Sequence, residues 1–146
     1  MSSVLRLVLD TSTPDVALGV WTDEGWMEVV RHSNLPQQQS KVLFNLIKDF
    51  FRPFGIEAKE VTEIAVGRGP GSYTGLRVGI TVGKVWAYAQ KIPLKTFSSG
   101  ELMQRTKDLE PEATGPNLEL LKESDFEVVE DINSLEPIYQ NDHFSN

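Results

Sequence analysis

The sequence predicts an α/β fold: a mixed sheet with helices packed on it, in the order βββαβα. Three observations predict it. Apolar, β-rich runs near the N-terminus are joined by short turns. Two longer segments then follow at helical period, the second opening on a glycine-rich loop. Short apolar runs after each of these segments read as further strands. With 40% hydrophobic residues over 146 positions, the chain suits one ordinary domain with a core.

Residues 4–9 (VLRLVL) form the first strand, closed by the turn cluster Asp10-Thr11-Ser12-Thr13-Pro14. Residues 16–21 form a second, and 26–31 a third, joined by the tight connection Asp23-Glu24-Gly25. Residues 40–54 keep helical period until Gly55, a natural stop. A short buried strand over 61–66 leads into the glycine loop. Residues 74–90 form a second helix, and 93–97 begin another strand. Beyond Ser98 the pattern weakens into a helix over 101–109, a proline- and glycine-containing linker over 110–117 and a short strand at 126–129.

Charge narrows the function classes. The net charge is −7, with +2 over residues 1–100 and −9 over 101–146. Such a chain repels phosphate backbones, so no direct nucleic-acid binding is expected. No apolar run reaches membrane-spanning length, and residues 1–4 show no signal-peptide pattern. The absence of cysteine excludes disulfides and thiolate chemistry and is compatible with a reducing cytosol, so a cytoplasmic location is the expectation. The only histidines, His32 and His143, make no cluster, so neither a metal site nor a cofactor is expected.

The loop VGRGPGSYTG, residues 66–75, fails three phosphate or nucleophile spellings. A Walker loop needs Lys and Ser or Thr after its last glycine, and Leu76 and Arg77 stand there. A dinucleotide fingerprint needs glycine where Ser72 stands, and a nucleophile elbow needs glycine where Pro70 stands. Ser72, Thr74 and Ser99 lack a predicted base, so no catalytic residue is assigned. The loop still turns backbone amides toward a helix mouth, a geometry that attracts anions. Asp10, Thr11, Gly69, Gly71 and Ser72 are therefore candidates for a vestigial phosphate site. Asp10 could hold a nucleotide's Mg²⁺, or cap the turn with its own side chain. The capping reading is the one adopted.

The helices carry more apolar surface than one face needs. Over 40–54, Leu43, Leu46, Ile47, Phe50 and Phe54 make one stripe, leaving Val42, Phe44 and Phe51 over as a candidate contact surface. Over 74–90, Gly75, Gly79, Gly83 and Ala87 recur every four residues, a smooth face for a close neighbour. That neighbour is either this chain's sheet, the reading preferred, or a partner's helix. Val78, Val82 and Trp86, which flank the glycines, complete the predicted partner face.

The strand ending in Asp-Thr-Ser-Thr, the block AVGRGPGSYTGLRVG (residues 65–79), Ile92-Pro93-Leu94 before Ser98-Ser99, and the ending Leu135-Glu136-Pro137-Ile138-Tyr139 together resemble the TsaB (YeaZ) family. The resemblance covers roughly residues 4–105. It implies an actin-like, sugar-kinase-like (ribonuclease H-like) lobe. It also implies a non-catalytic scaffold subunit for the N6-threonylcarbamoylation of adenosine 37 in tRNAs reading ANN codons. The implied partners are a TsaD-like protein and a TsaE-like ATPase. A twofold homodimer is expected when the chain is alone, because an isologous contact hides apolar area most simply. Family members place a second subdomain between the Ser-Ser pair and the final signature, where this chain has only residues 100–135. The expected division is thus an actin-like lobe over 1–100 and an acidic remnant of a reduced or incomplete second lobe over 101–146. The alternative activity within the same superfamily is a nucleotide-dependent phosphotransferase or a peptidase-like hydrolase.

Overall fold

Alternation along the first strand sets the two layers of the protein. In β1 (Leu5–Asp10), Leu7 and Leu9 face one side of the sheet, and Arg6, Val8 and Asp10 the other. The structure is a computed structural model that describes residues 3–32 and 40–138. Tyr139 and His143 lie outside the described residues.

The sheet has the order β3-β2-β1-β4-β5-β6. The meander β1, β2 (Val16–Thr22) and β3 (Gly25–His32) is antiparallel. β4 (Glu63–Gly67) and β5 (Leu94–Phe97) join it in parallel. β6 (Glu127–Val128) closes the far edge antiparallel to β5. The parallel strands are reached by crossovers through α1 (Ser40–Phe51) and α2 (Tyr73–Gln90), which cover the Leu7/Leu9 side. α3 (Ser99–Leu109) and residues 118–126 cover the other side, where Leu102, Leu118 and Leu121 pack on Val8, Ala17, Ala65 and Phe97.

The mixed sheet and the βββαβα order stand as predicted. The first predicted helix is shorter, because Pro53 has no N–H to continue the α ladder. The chain tightens there into a 3-10 turn, Arg52–Phe54, which Gly55 closes in the left-handed region at φ 66°.

The acidic C-terminal region is woven into the lobe. Thr114 Oγ1 donates to Asp15 Oδ2 at 2.8 Å, and Arg31 donates to the Gly115 carbonyl at 2.9 Å. After β6 the chain rounds the sheet edge, so that Val129, Ile132 and Leu135 pack against the core on the Leu7/Leu9 side of the sheet. Ile138 N then donates to the Arg68 carbonyl at 2.7 Å. The same region supplies charge partners to a buried cation. Arg6, 3% exposed, donates from Nε to Glu63 at 2.7 Å and from both terminal nitrogens to Glu123 at 3.0 and 3.1 Å. Its guanidinium also lies over Phe126 and Trp21, at 4.5 and 5.5 Å from the ring centroids. Lys95 adds a 3.0 Å contact to Glu63.

Candidate functional site

The glycine loop packs directly on the turn after β1. A Cβ at Gly71 would overlap the Ser12 backbone, and one at Gly75 the Thr11 carbonyl oxygen. Ser72 N donates to the Ser12 carbonyl at 2.9 Å, and Thr11 Oγ1 to the Gly75 carbonyl at 2.6 Å. Gly69 N donates to Ser99 Oγ at 3.0 Å, and a Cβ on Gly69 would meet the Ile138 carbonyl oxygen. Ser72 caps α2 by accepting from Gly75 N. Several amides that would cradle a phosphate therefore already have protein acceptors.

Asp10 is sealed beneath this contact, at 0% exposure. Its Oδ1 accepts from Ser12 N and Oγ at 2.8 and 2.6 Å, so the predicted turn cap is present. Its Oδ2 faces Gly67 and has no donor in hydrogen-bond geometry. Burial pushes the carboxyl above the usual carboxylate range, against weaker pulls from Ser12 and the Ser99 hydroxyl. An actin-like fold implies a Mg²⁺-nucleotide in this region. The residues present do not fit one: the Asp10 carboxylate is sealed from solvent, and the amides of Gly69 and Ser72 already donate to acceptors within the protein.

The glycine stripe of α2 meets this chain's own sheet. Cβ atoms at Gly79 and Gly83 would overlap Thr11 Oγ1 and a Val66 methyl. The inner side of α2 is thereby fixed, and its neighbours turn toward α1. Trp86 stacks on Phe44 at 6.0 Å and meets Phe51 edge-on at 6.3 Å. Phe51, Val82 and Trp86 consequently lie inside the protein's own core, which corrects their placement on an open partner face. Val42 remains exposed, and Phe44 and Val78 half-buried. The outer side of α2 instead shows Val85 at 49% and Tyr88 at 82% exposure, with Arg77 and Thr81 beside them.

Residues 34–122 match the family model described as tRNA N6-adenosine threonylcarbamoyltransferase, TsaD. The chain belongs to the TsaD family, in its TsaB (YeaZ) branch. It is 29% identical over 89 residues to "tRNA threonylcarbamoyladenosine biosynthesis protein TsaB" of Escherichia coli strain K12, covering 60% of this chain and 37% of that protein. The Haemophilus influenzae protein of the same name is 29% identical over 100 residues, covering 68% of this chain and 41% of the relative. The chain thus spans about two-fifths of the length of these relatives. The solved structure of YeaZ from Pseudomonas aeruginosa superposes with a TM-score of 0.61 at 22% identity, over 88% of this chain and 65% of that one. This likeness carries the fold.

Within this TsaB-type lobe, Val85 and Tyr88 were not singled out from the sequence, although a signal for them exists. If Gly75, Gly79 and Gly83 face the sheet, helical geometry turns Thr81, Val85 and Tyr88 outward.

Replacing Asp10 by Asn tests the sealed carboxyl. A raised folded pKa means that the folded state holds the proton more tightly than the unfolded one. The contribution of this one group is then greatest below the ordinary carboxylate pKa and is lost as pH rises toward its folded value. Asn keeps an acceptor for Ser12 and removes the charge. The expected result is a thermal midpoint raised by roughly 4 °C at about pH 7, with less pH dependence on the mildly acidic side. A lowered midpoint at that pH would show that the charge itself is stabilising.

Proposed function

We propose that this chain is a non-catalytic scaffold subunit in forming threonylcarbamoyladenosine at position 37 of tRNAs reading ANN codons. It docks a TsaD-like protein through the outer surface of α1 and α2, and a TsaE-like ATPase completes the assembly. One observation carries the reading: α2 fills the core with one side and still leaves Val85 and Tyr88 exposed on the other. In isolation the same surface pairs two copies about a twofold axis. With a net charge of −7, the chain leaves the tRNA contact to its partners.

Reconstitution with the TsaD-type and TsaE-type proteins of the same genome tests this. Omitting the chain is expected to abolish threonylcarbamoyl transfer to tRNA. A Val85→Asp/Tyr88→Asp double variant is expected to stay folded and bind the TsaD-type protein at least about 30-fold more weakly. ATP turnover by the purified chain alone would favour the phosphotransferase reading instead.

A further inference from the structure

The docking surface carries an unbalanced charge. Residues 40–54 and 73–91 hold six basic side chains (Lys41, Lys48, Arg52, Arg77, Lys84, Lys91) and one acidic, Asp49, a net of +5 in a chain of net −7. Asp49 already pairs with Arg52 at 3.0 Å. Among the described residues, none of the other five cations has a carboxylate within 4.0 Å, whereas Arg6, Lys95 and Arg105 behind the sheet are all ion-paired. Arg77 donates to the Tyr73 hydroxyl at 2.9 Å, which leaves its charge uncompensated.

Spacing places these cations with the apolar residues. Arg77, Thr81, Lys84 and Tyr88 recur at three and four residues on the outer side of α2. Lys41, Asn45 and Lys48 do the same on α1, away from the buried Leu43, Ile47 and Phe50. A groove lined by Ser40, Thr74, Arg77, Val78 and Thr81 joins the start of α1 to this side of α2.

We infer that the α1–α2 surface selects a protein partner with an acidic rim and that a second copy of this chain is the poorer occupant. The inference rests on the docking role proposed above. A twofold axis through the surface brings the unpaired cations of one copy toward those of the other, and like charges at a contact are unfavourable. An acidic rim converts the same cations into cross-interface pairs. The two complexes therefore respond to salt with opposite sign, because screening weakens repulsion and attraction alike.

The test is sedimentation of the full chain alone, and calorimetric titration with the TsaD-type protein of the same genome, between about 50 and 500 mM NaCl. Self-association is expected to tighten at least about threefold across that range, while the mixed complex weakens by a similar factor. A Lys41→Gln/Lys48→Gln/Lys84→Gln variant is expected to self-associate more tightly at low salt and to bind the partner about tenfold more weakly. A mixed complex indifferent to salt, or a homodimer that salt weakens, overturns the inference. Undiminished binding by Val85→Asp/Tyr88→Asp overturns the docking role itself, so the two failures are distinguishable.

Discussion

Val82→Asp unfolds the protein, while Val85→Asp, three residues along the same helix, leaves it folded. Val82 is fully enclosed among the residues between α1, α2 and the sheet, whereas Val85 is 49% exposed. A carboxylate at 82 has no partner among these side chains, and burying it costs about 4 kcal/mol or more. That is a large part of the roughly 5–15 kcal/mol that holds an ordinary domain together. At 85 the new charge stays in water, and the expected change is within about 0.5 kcal/mol. Both changes replace Val by Asp inside one helix, so differences in helix propensity nearly cancel. Circular dichroism and a thermal melt of the two variants decide the matter. A folded Val82→Asp protein would return Val82 to the partner face.

Arg6→Met destabilises the lobe by about 3 kcal/mol, because it strands Glu63 beneath the sheet face with only Lys95 to answer it. Methionine retains much of the stem that packs between Trp21 and Phe126, so most of the loss comes from charge and hydrogen bonding. The pH profile separates these contributions. Burial opposes the charged form of Glu63, but Arg6 and Lys95 outweigh it and hold the carboxyl below its usual range. Arg105, again against burial and with help from Lys122 N, does the same for Asp125. Depressed folded values mean stability that is present above the ordinary carboxylate pKa and lost as pH falls through the folded values. Chemical denaturation across that acidic window is expected to show a shallower acid loss in Arg6→Met than in the parent. An unchanged midpoint at about pH 7 would show that the pair contributes nothing net.

Much of this was legible in the residues, and the exceptions share a cause. Apolar alternation in 16–21 and helical period in 74–90 are local patterns, and the elements stand close to where those patterns put them. The glycine spacing also showed that something must approach α2 closely. The fate of each surplus apolar side chain was not legible. Val42 and Phe51 read alike in the sequence, yet α1 turns Phe51 onto Trp86 and leaves Val42 exposed. Helix rotation about its axis depends on the neighbour it packs against, which the local pattern does not contain.

The sequence by itself determined the order of elements, the family, the cap formed by Asp10 and the excess of positive charge on the two helices. Each of these is written in residues close together in the chain. Only the tertiary structure decided that Arg6 is a buried cation held by Glu63 and Glu123, 57 and 117 positions away. It alone showed that the glycine loop rests on the turn after β1, and that the acidic C-terminal stretch closes the lobe. These are contacts between distant segments. Burial and pairing energies arise where such segments meet, and a linear pattern does not say which segments will.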